Sequence, residues 1–74
     1  MMQIFIKSAD NSINTTLEVE LSDTIEYVYA KTQDKTGITF DKFLLMYAYK
    51  NLEKGKRVSD YGIKENSIVA MALR

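Results

Sequence analysis

The chain has no cysteine and no histidine. Without cysteine there are no disulfides, no thiolate nucleophiles and no cysteine metal sites. Without histidine, the commonest general base and the commonest metal ligand are gone as well. Only carboxylates, tyrosines and lysines remain for chemistry, and the carboxylates are dispersed, with no acid/base pair among them. Net charge is missing too. Ten basic side chains cancel ten acidic ones, which removes any general pull toward nucleic acid or acidic membranes. No apolar run approaches the ~20 residues that span a bilayer, and no signal peptide is visible. Gly55-Lys56-Arg57 lacks the glycine spacing of a phosphate-binding loop. These absences predict a soluble intracellular protein, cytoplasmic or nuclear, with no enzymatic role, cofactor or metal.

What is present suits one domain spanning residues 1–74, since domains run from about 50 to 250 residues. Apolar residues at 46% and charged residues at 27% are ordinary globular proportions, not those of a disordered chain. A domain this short buries only roughly 60% of its unfolded surface, so modest stability is expected.

Residues 2–7 alternate, with Met2, Ile4 and Ile6 on one face and Gln3, Phe5 and Lys7 on the other, the period of a half-buried strand. Ser8 to Ser12 carries turn chemistry, because Asp and Asn bond their own backbone and tolerate left-handed conformations. A second alternation sets Ile13, Thr15, Leu17 and Val19 against Asn14, Thr16, Glu18 and Glu20, completing a β-hairpin. Thr24 then caps a helix over Ile25–Thr36 that Gly37 stops. Ile25, Val28, Tyr29 and Thr32 recur at i, i+3, i+4 and i+7 and form its inner face. A connector follows, then a strand at Phe43–Tyr47 and a turn with a very short strand at Tyr49–Leu52. Ser59–Gly62 reads as a short turn or single helical turn, and a last strand runs from Ser67 to Leu73, alternating Val69, Met71 and Leu73 against Ile68, Ala70 and Ala72. One helix on one face of a sheet is an α+β layer pair.

The opening Met2-Gln3-Ile4-Phe5-Ile6-Lys7 is one of several informative runs, with Leu17-Glu18-Val19-Glu20, Ser22-Asp23-Thr24-Ile25-Glu26, Leu52-Glu53 and Ser59-Asp60-Tyr61. On these residues the chain resembles the ubiquitin family across nearly its whole length, and the elements fall in that family's order. The resemblance implies a β-grasp fold, a mixed sheet covered by one α-helix, and places Met1 as an added residue ahead of a domain that starts at Met2. It does not by itself imply conjugation, because many β-grasp domains only bind partners.

The resemblance also locates sites, and departures at them. Ubiquitin's tail continues past the position of Arg74 to two glycines that are activated and conjugated, and this sequence ends at Arg74. Either a glycine tail is trimmed away, or the domain sits in a longer or tandem precursor. Ubiquitin's leucine–isoleucine–valine docking patch, with its histidine, falls on Ala9, Met46, Ala72 and Ala70. Two truncations to alanine remove about 100 Å² of contact, on the order of 2 kcal/mol, so motifs that bind ubiquitin are expected to bind poorly. Leu44 replaces an arginine and Tyr49 a glycine, which implies a remodelled patch of Leu44, Met46, Tyr49, Ala70, Ala72 and Ala9, with Phe5 outward nearby. Arg74 matches a residue that contacts the activating enzyme. Lys50, Lys7, Lys31 and Lys35 match linkage lysines, while Glu65 replaces another.

A buried ion pair in ubiquitin becomes Tyr29 and Lys54, so no charge is orphaned. Core isoleucines become Thr15 and Thr32, each expected to cost roughly 1–2 kcal/mol in packing and a buried hydroxyl. All three of ubiquitin's prolines are lost, to Leu21, Thr39 and Phe40, which frees the unfolded chain. The expectation is a monomer, less stable than ubiquitin, whose partners are proteins and neither nucleic acid nor membrane. Its expected function is that of a diverged modifier or precursor unit, conjugated only if glycines follow Arg74. The alternative is an interaction domain that is never conjugated.

Overall fold

The computed structural model describes all 74 residues. Strand β1 (Met2–Ser8) and strand β2 (Asn14–Val19) form the antiparallel hairpin, with Ile4 opposite Leu17 and Ile6 opposite Thr15. Helix α1 (Ile25–Thr36) follows, then a 3-10 turn at Phe40–Lys42, strand β3 (Phe43–Tyr47) and the two-residue β4 (Lys50–Asn51). A second 3-10 turn at Val58–Tyr61 precedes strand β5 (Ile68–Leu73). The sheet order is β2-β1-β5-β3-β4. Strand β5 lies parallel to β1 and antiparallel to β3, so the sheet is mixed. This is the α+β, ubiquitin-like β-grasp architecture.

The helix begins where Thr24, in an extended conformation, accepts from the Tyr27 amide through its hydroxyl. It ends where Gly37 takes φ +76°, the left-handed region that a Cβ disfavours, and its amide bonds the Gln33 carbonyl. Ile25, Val28, Tyr29 and Thr32 are its buried residues. Ile25, Val28 and Tyr29 join the inward residues of the sheet, Ile4, Ile6, Leu17, Val19, Phe43, Leu45, Val69 and Met71, in one apolar cluster. The helix start is pinned to the loop that follows β4, Ile25 N–H donating to Lys56 O and Val58 N–H to Asp23 O.

Several expectations need correction. Ser8 is the last residue of β1 and buried, because its hydroxyl accepts from the Ile13 amide and donates to Asp10, closing the loop from inside. Ile13 and Ser67 lie just outside their strands. Leu73 is exposed, although it shares the inward phase of Val69 and Met71. Thr15 is only half-buried. Thr32 is fully buried, but its hydroxyl donates to the Val28 carbonyl at 2.8 Å, so the expected penalty for a buried hydroxyl is offset. The 3-10 turn at Phe40–Lys42 was not foreseen.

Tyr29 shows how the core absorbs the lost ion pair. Its ring stacks on Phe43 with centroids 5.3 Å apart and planes 13° from parallel, and its hydroxyl accepts the Leu45 amide at 2.9 Å. A neutral aromatic thus fills the space and satisfies the backbone of β3. No buried side-chain polar atom lacks a partner, as a well-formed interior requires.

Candidate functional site

Because β3 and β5 bury their odd-numbered residues Phe43, Leu45, Val69 and Met71, their even-numbered ones face outward. Pairing fixes these outward residues in rows. Leu44 lies opposite Ala72, and Met46 opposite Ala70, with Lys7 of β1 on the other side of Ala70. Phe5 lies beside Ile68 in the next row. The sheet therefore brings together Leu44, Met46, Ala70 and Ala72, the sequence-predicted patch. Ala9 is exposed just past Ser8, which pairs with Met71, at the Ala72 end of the face.

Tyr49 is placed differently. It sits in the two-residue β3–β4 loop, where Ala48 (φ +52°) and Tyr49 (φ +67°) are both left-handed, the type I′ pattern. Its side chain is 99% exposed, so it projects from the turn at the end of the face instead of packing into it. Ile68, which shares the phase of Ala70 and Ala72 but was not among the predicted patch residues, is 54% exposed and joins Phe5 to the Met46–Ala70 row. The signal was in the alternation of β5: one more large apolar residue on the outward phase. None of the residues of β1, β3, β4 or β5 is acidic, whereas Lys7 and Lys50 lie among them.

Leu44 also lines a groove of about 520 Å³ beside β3, with Tyr29, Ala30, Phe40, Leu52 and four charged residues. The charges come as opposites, Glu26 with Lys54 and Asp41 with Arg74. The Lys54 ammonium stands 5.6 Å from the Phe40 ring centre. Glu26 titrates below the usual carboxylate range, held by its own amide and then by that of Gly55. Asp41 is lowered by the Thr39 hydroxyl. Arg74 is anchored by its amide, which donates to the Lys42 carbonyl at 2.8 Å. The groove was missed in the sequence because Phe40 and Leu52 meet only through the fold.

The four predicted linkage lysines differ in freedom. Lys50 and Lys35 are exposed, while Lys7 is half-buried within the outer face. Lys31 is committed internally: its ammonium donates to the Glu18 carbonyl and sits 5.1 Å from the Tyr27 ring centre. In the β1–β2 loop, Asp10 is lowered to about 2 by the Ser12 hydroxyl, the Ser12 amide and the Ser8 hydroxyl. No three Asp or Glu side chains gather as a metal site, and no helix is long and apolar enough to cross a membrane.

Comparison with known proteins agrees with this geometry. Residues 4–74 match the Ubiquitin family. Ubiquitin D of Homo sapiens is 31% identical over 67 residues, which cover 90% of this chain and 41% of that protein. The chain thus spans about two fifths of that relative's length. With the match running from β1 through β5, the chain belongs to the ubiquitin family.

Proposed function

We propose that this chain is a diverged ubiquitin-like modifier, or a ubiquitin-like unit of a larger precursor, working in the cytoplasm or nucleus. It acts by docking other proteins on the outer face of its sheet. The observation that carries this reading is the outward row structure itself: Leu44, Met46 and Ala70 stand together on the outer face of the sheet, Ala70 exposed and the other two half-buried. Apolar side chains presented in this way are characteristic of protein interaction sites. Conjugation rests on glycines following Arg74, whose amide is fastened to β3's approach and so gives a tail a fixed point of departure. Lys50 and Lys35, both exposed, are the better candidates among the four lysines for chain linkage, since Lys31 is held by Glu18.

A second reading, an interaction domain that is never conjugated, is favoured by the replacement of an activating-enzyme arginine with Leu44, which also lines the groove beside Arg74. The deciding measurement is the mass of the endogenous protein's C-terminal peptide in free and high-molecular-weight fractions. A peptide ending in glycine and branched onto lysines elsewhere supports the modifier. A peptide continuing into another domain overturns it in favour of the built-in docking module.

A further inference from the structure

The groove beside β3 is separate from the docking face except at Leu44, which belongs to both. Its apolar lining is Tyr29, Ala30, Phe40, Leu44 and Leu52. Phe40 is a large ring left 52% exposed, and its amide is held by the Gln33 side chain. A concave site of about 520 Å³ with an apolar lining and a few charged groups has the size and make-up of a small-molecule pocket. A peptide strand would find little main chain to pair with there. The Leu45 amide already donates to the Tyr29 hydroxyl, and the Leu45 carbonyl accepts from the Leu52 amide. An occupant is therefore held by side chains.

The charged side chains select its chemistry. The two acids of the groove are engaged at home: Glu26 accepts the Gly55 amide on both oxygens, and Asp41 accepts the Thr39 hydroxyl. Each also feels two cations, Lys54 and Arg57 for Glu26, Lys42 and Arg74 for Asp41. Of these, Arg57 is tied to the Ser22 carbonyl. Glu53 and Lys56, near Lys54 in the chain, carry opposite charges and stay out of the lining. The Lys54 ammonium rests against the Phe40 ring, and Arg74 is held through its backbone amide. Both side chains carry donors alone, and neither spends them inside the chain, so what the groove can still take up is an anion. We propose that the groove is a binding site for a small apolar carboxylate. Its aliphatic or aromatic body lies on Tyr29, Leu44 and Leu52, and its carboxylate is taken by Lys54 and Arg74.

The test titrates isotope-labelled protein with octanoate and, in parallel, with octanamide, a neutral body of the same length. Saturable amide shifts at Ala30, Phe40, Leu44, Leu52 and Lys54 are expected, with a Kd of about 1 mM for octanoate. Octanamide should bind about tenfold more weakly. Lys54→Met and Arg74→Gln should each weaken octanoate about threefold or more, and because both residues are exposed the fold is kept. Ala30→Glu sets a carboxylate in the lining at an exposed helical position, so it should abolish binding while the helix stands. No saturable shift at about 10 mM octanoate overturns the site. So do shifts that fall instead on Phe5, Met46 and Ile68 of the outer face, or parent affinity in Ala30→Glu. Equal affinity for octanoate and octanamide, or parent affinity in both cation variants, overturns the carboxylate.

Discussion

Replacing Tyr29 by phenylalanine deletes one oxygen from the core and changes its volume little. The ring is 8% exposed and stacks on Phe43, a contact that phenylalanine keeps. What disappears is the acceptor for the Leu45 amide. Leu45 is fully buried, so its N–H has no access to water. An orphaned buried donor costs about 1–3 kcal/mol. For a domain of this size each kcal/mol moves the melting point by about 4–8 °C, so a loss near 2 kcal/mol lowers Tm by about 8–16 °C. Thermal and urea unfolding followed by circular dichroism would read the loss, and amide exchange would show Leu45 losing protection. A Tm within about 2 °C of the parent would refute the reasoning, because it would mean that the hydroxyl is not the amide's necessary partner. A companion cycle tests the electrostatic side. Tyr29→Lys alone should cost several kcal/mol, since it removes the Leu45 acceptor and the Phe43 stack and sets an ammonium beside Lys54 in the same groove. Adding Lys54→Asp should recover only the electrostatic part, because neither the Leu45 acceptor nor the Phe43 stack returns, and that part is visible as non-additivity.

Thr32→Val should raise stability by about 1 kcal/mol, because a hydroxyl bonded back to the Val28 carbonyl is exchanged for a methyl in a fully buried site; a lower Tm would overturn that account. Gly37→Ala should cost about 1 kcal/mol through the positive φ alone, since nothing lies within 4 Å of the added Cβ. An unchanged melt would show that the C-cap relaxes. Asp10, lowered to about 2 from 3.8, binds fewer protons folded than unfolded, so its contribution is present above the unfolded value and is lost as pH falls from 3.8 toward 2. The Tm gap between the parent and Asp10→Asn should therefore narrow between about pH 4 and pH 2. A carboxyl titration midpoint near 3.8 would remove the effect.

Local chemistry made most of the fold legible. Helix α1 runs over the residues read from the sequence because both its ends are coded by single side chains, the Thr24 cap and the left-handed Gly37. The strands followed from period-two burial. What escaped depends on partners distant in sequence or on side chains acting as backbone. The 3-10 turn at Phe40–Lys42 is held by the Phe40 amide reaching the Gln33 side chain, and its residues carry no turn signature. Ser8 read as loop because serine is a loop residue, yet its hydroxyl substitutes for a backbone acceptor at the strand end. Of the candidate site, the rows containing Leu44, Met46, Ala70 and Ala72 could be placed from alternation and resemblance together. The groove beside β3 could not, because it assembles residues from the helix, the 3-10 turn, β3 and the segment after β4.

The two faces of the sheet differ in how they can change, and this bears on function. On the inner side, a substitution in low dielectric must be matched by its neighbours, because an orphaned charge or amide costs a large part of a marginal stability. Tyr29 and Lys54 accordingly depart from ubiquitin together, and Thr32 brings its own acceptor within the helix. On the outer side, solvent screens each change and no internal partner compels another. Leu44, Ala70, Ala72 and Tyr49 are thus free to vary without endangering the fold, so stability alone does not account for their identities. Tyr49 is stronger evidence than the rest, since there the sequence accepts backbone strain that glycine would relieve. A departure that is neutral for folding can drift, whereas one that is costly and internally unrewarded requires a benefit outside the chain. The β3–β4 turn therefore stands apart from the rest of the outer face, because glycine at either Ala48 or Tyr49 would relieve a backbone strain that the Tyr49 side chain, 99% exposed, does nothing inside the fold to offset.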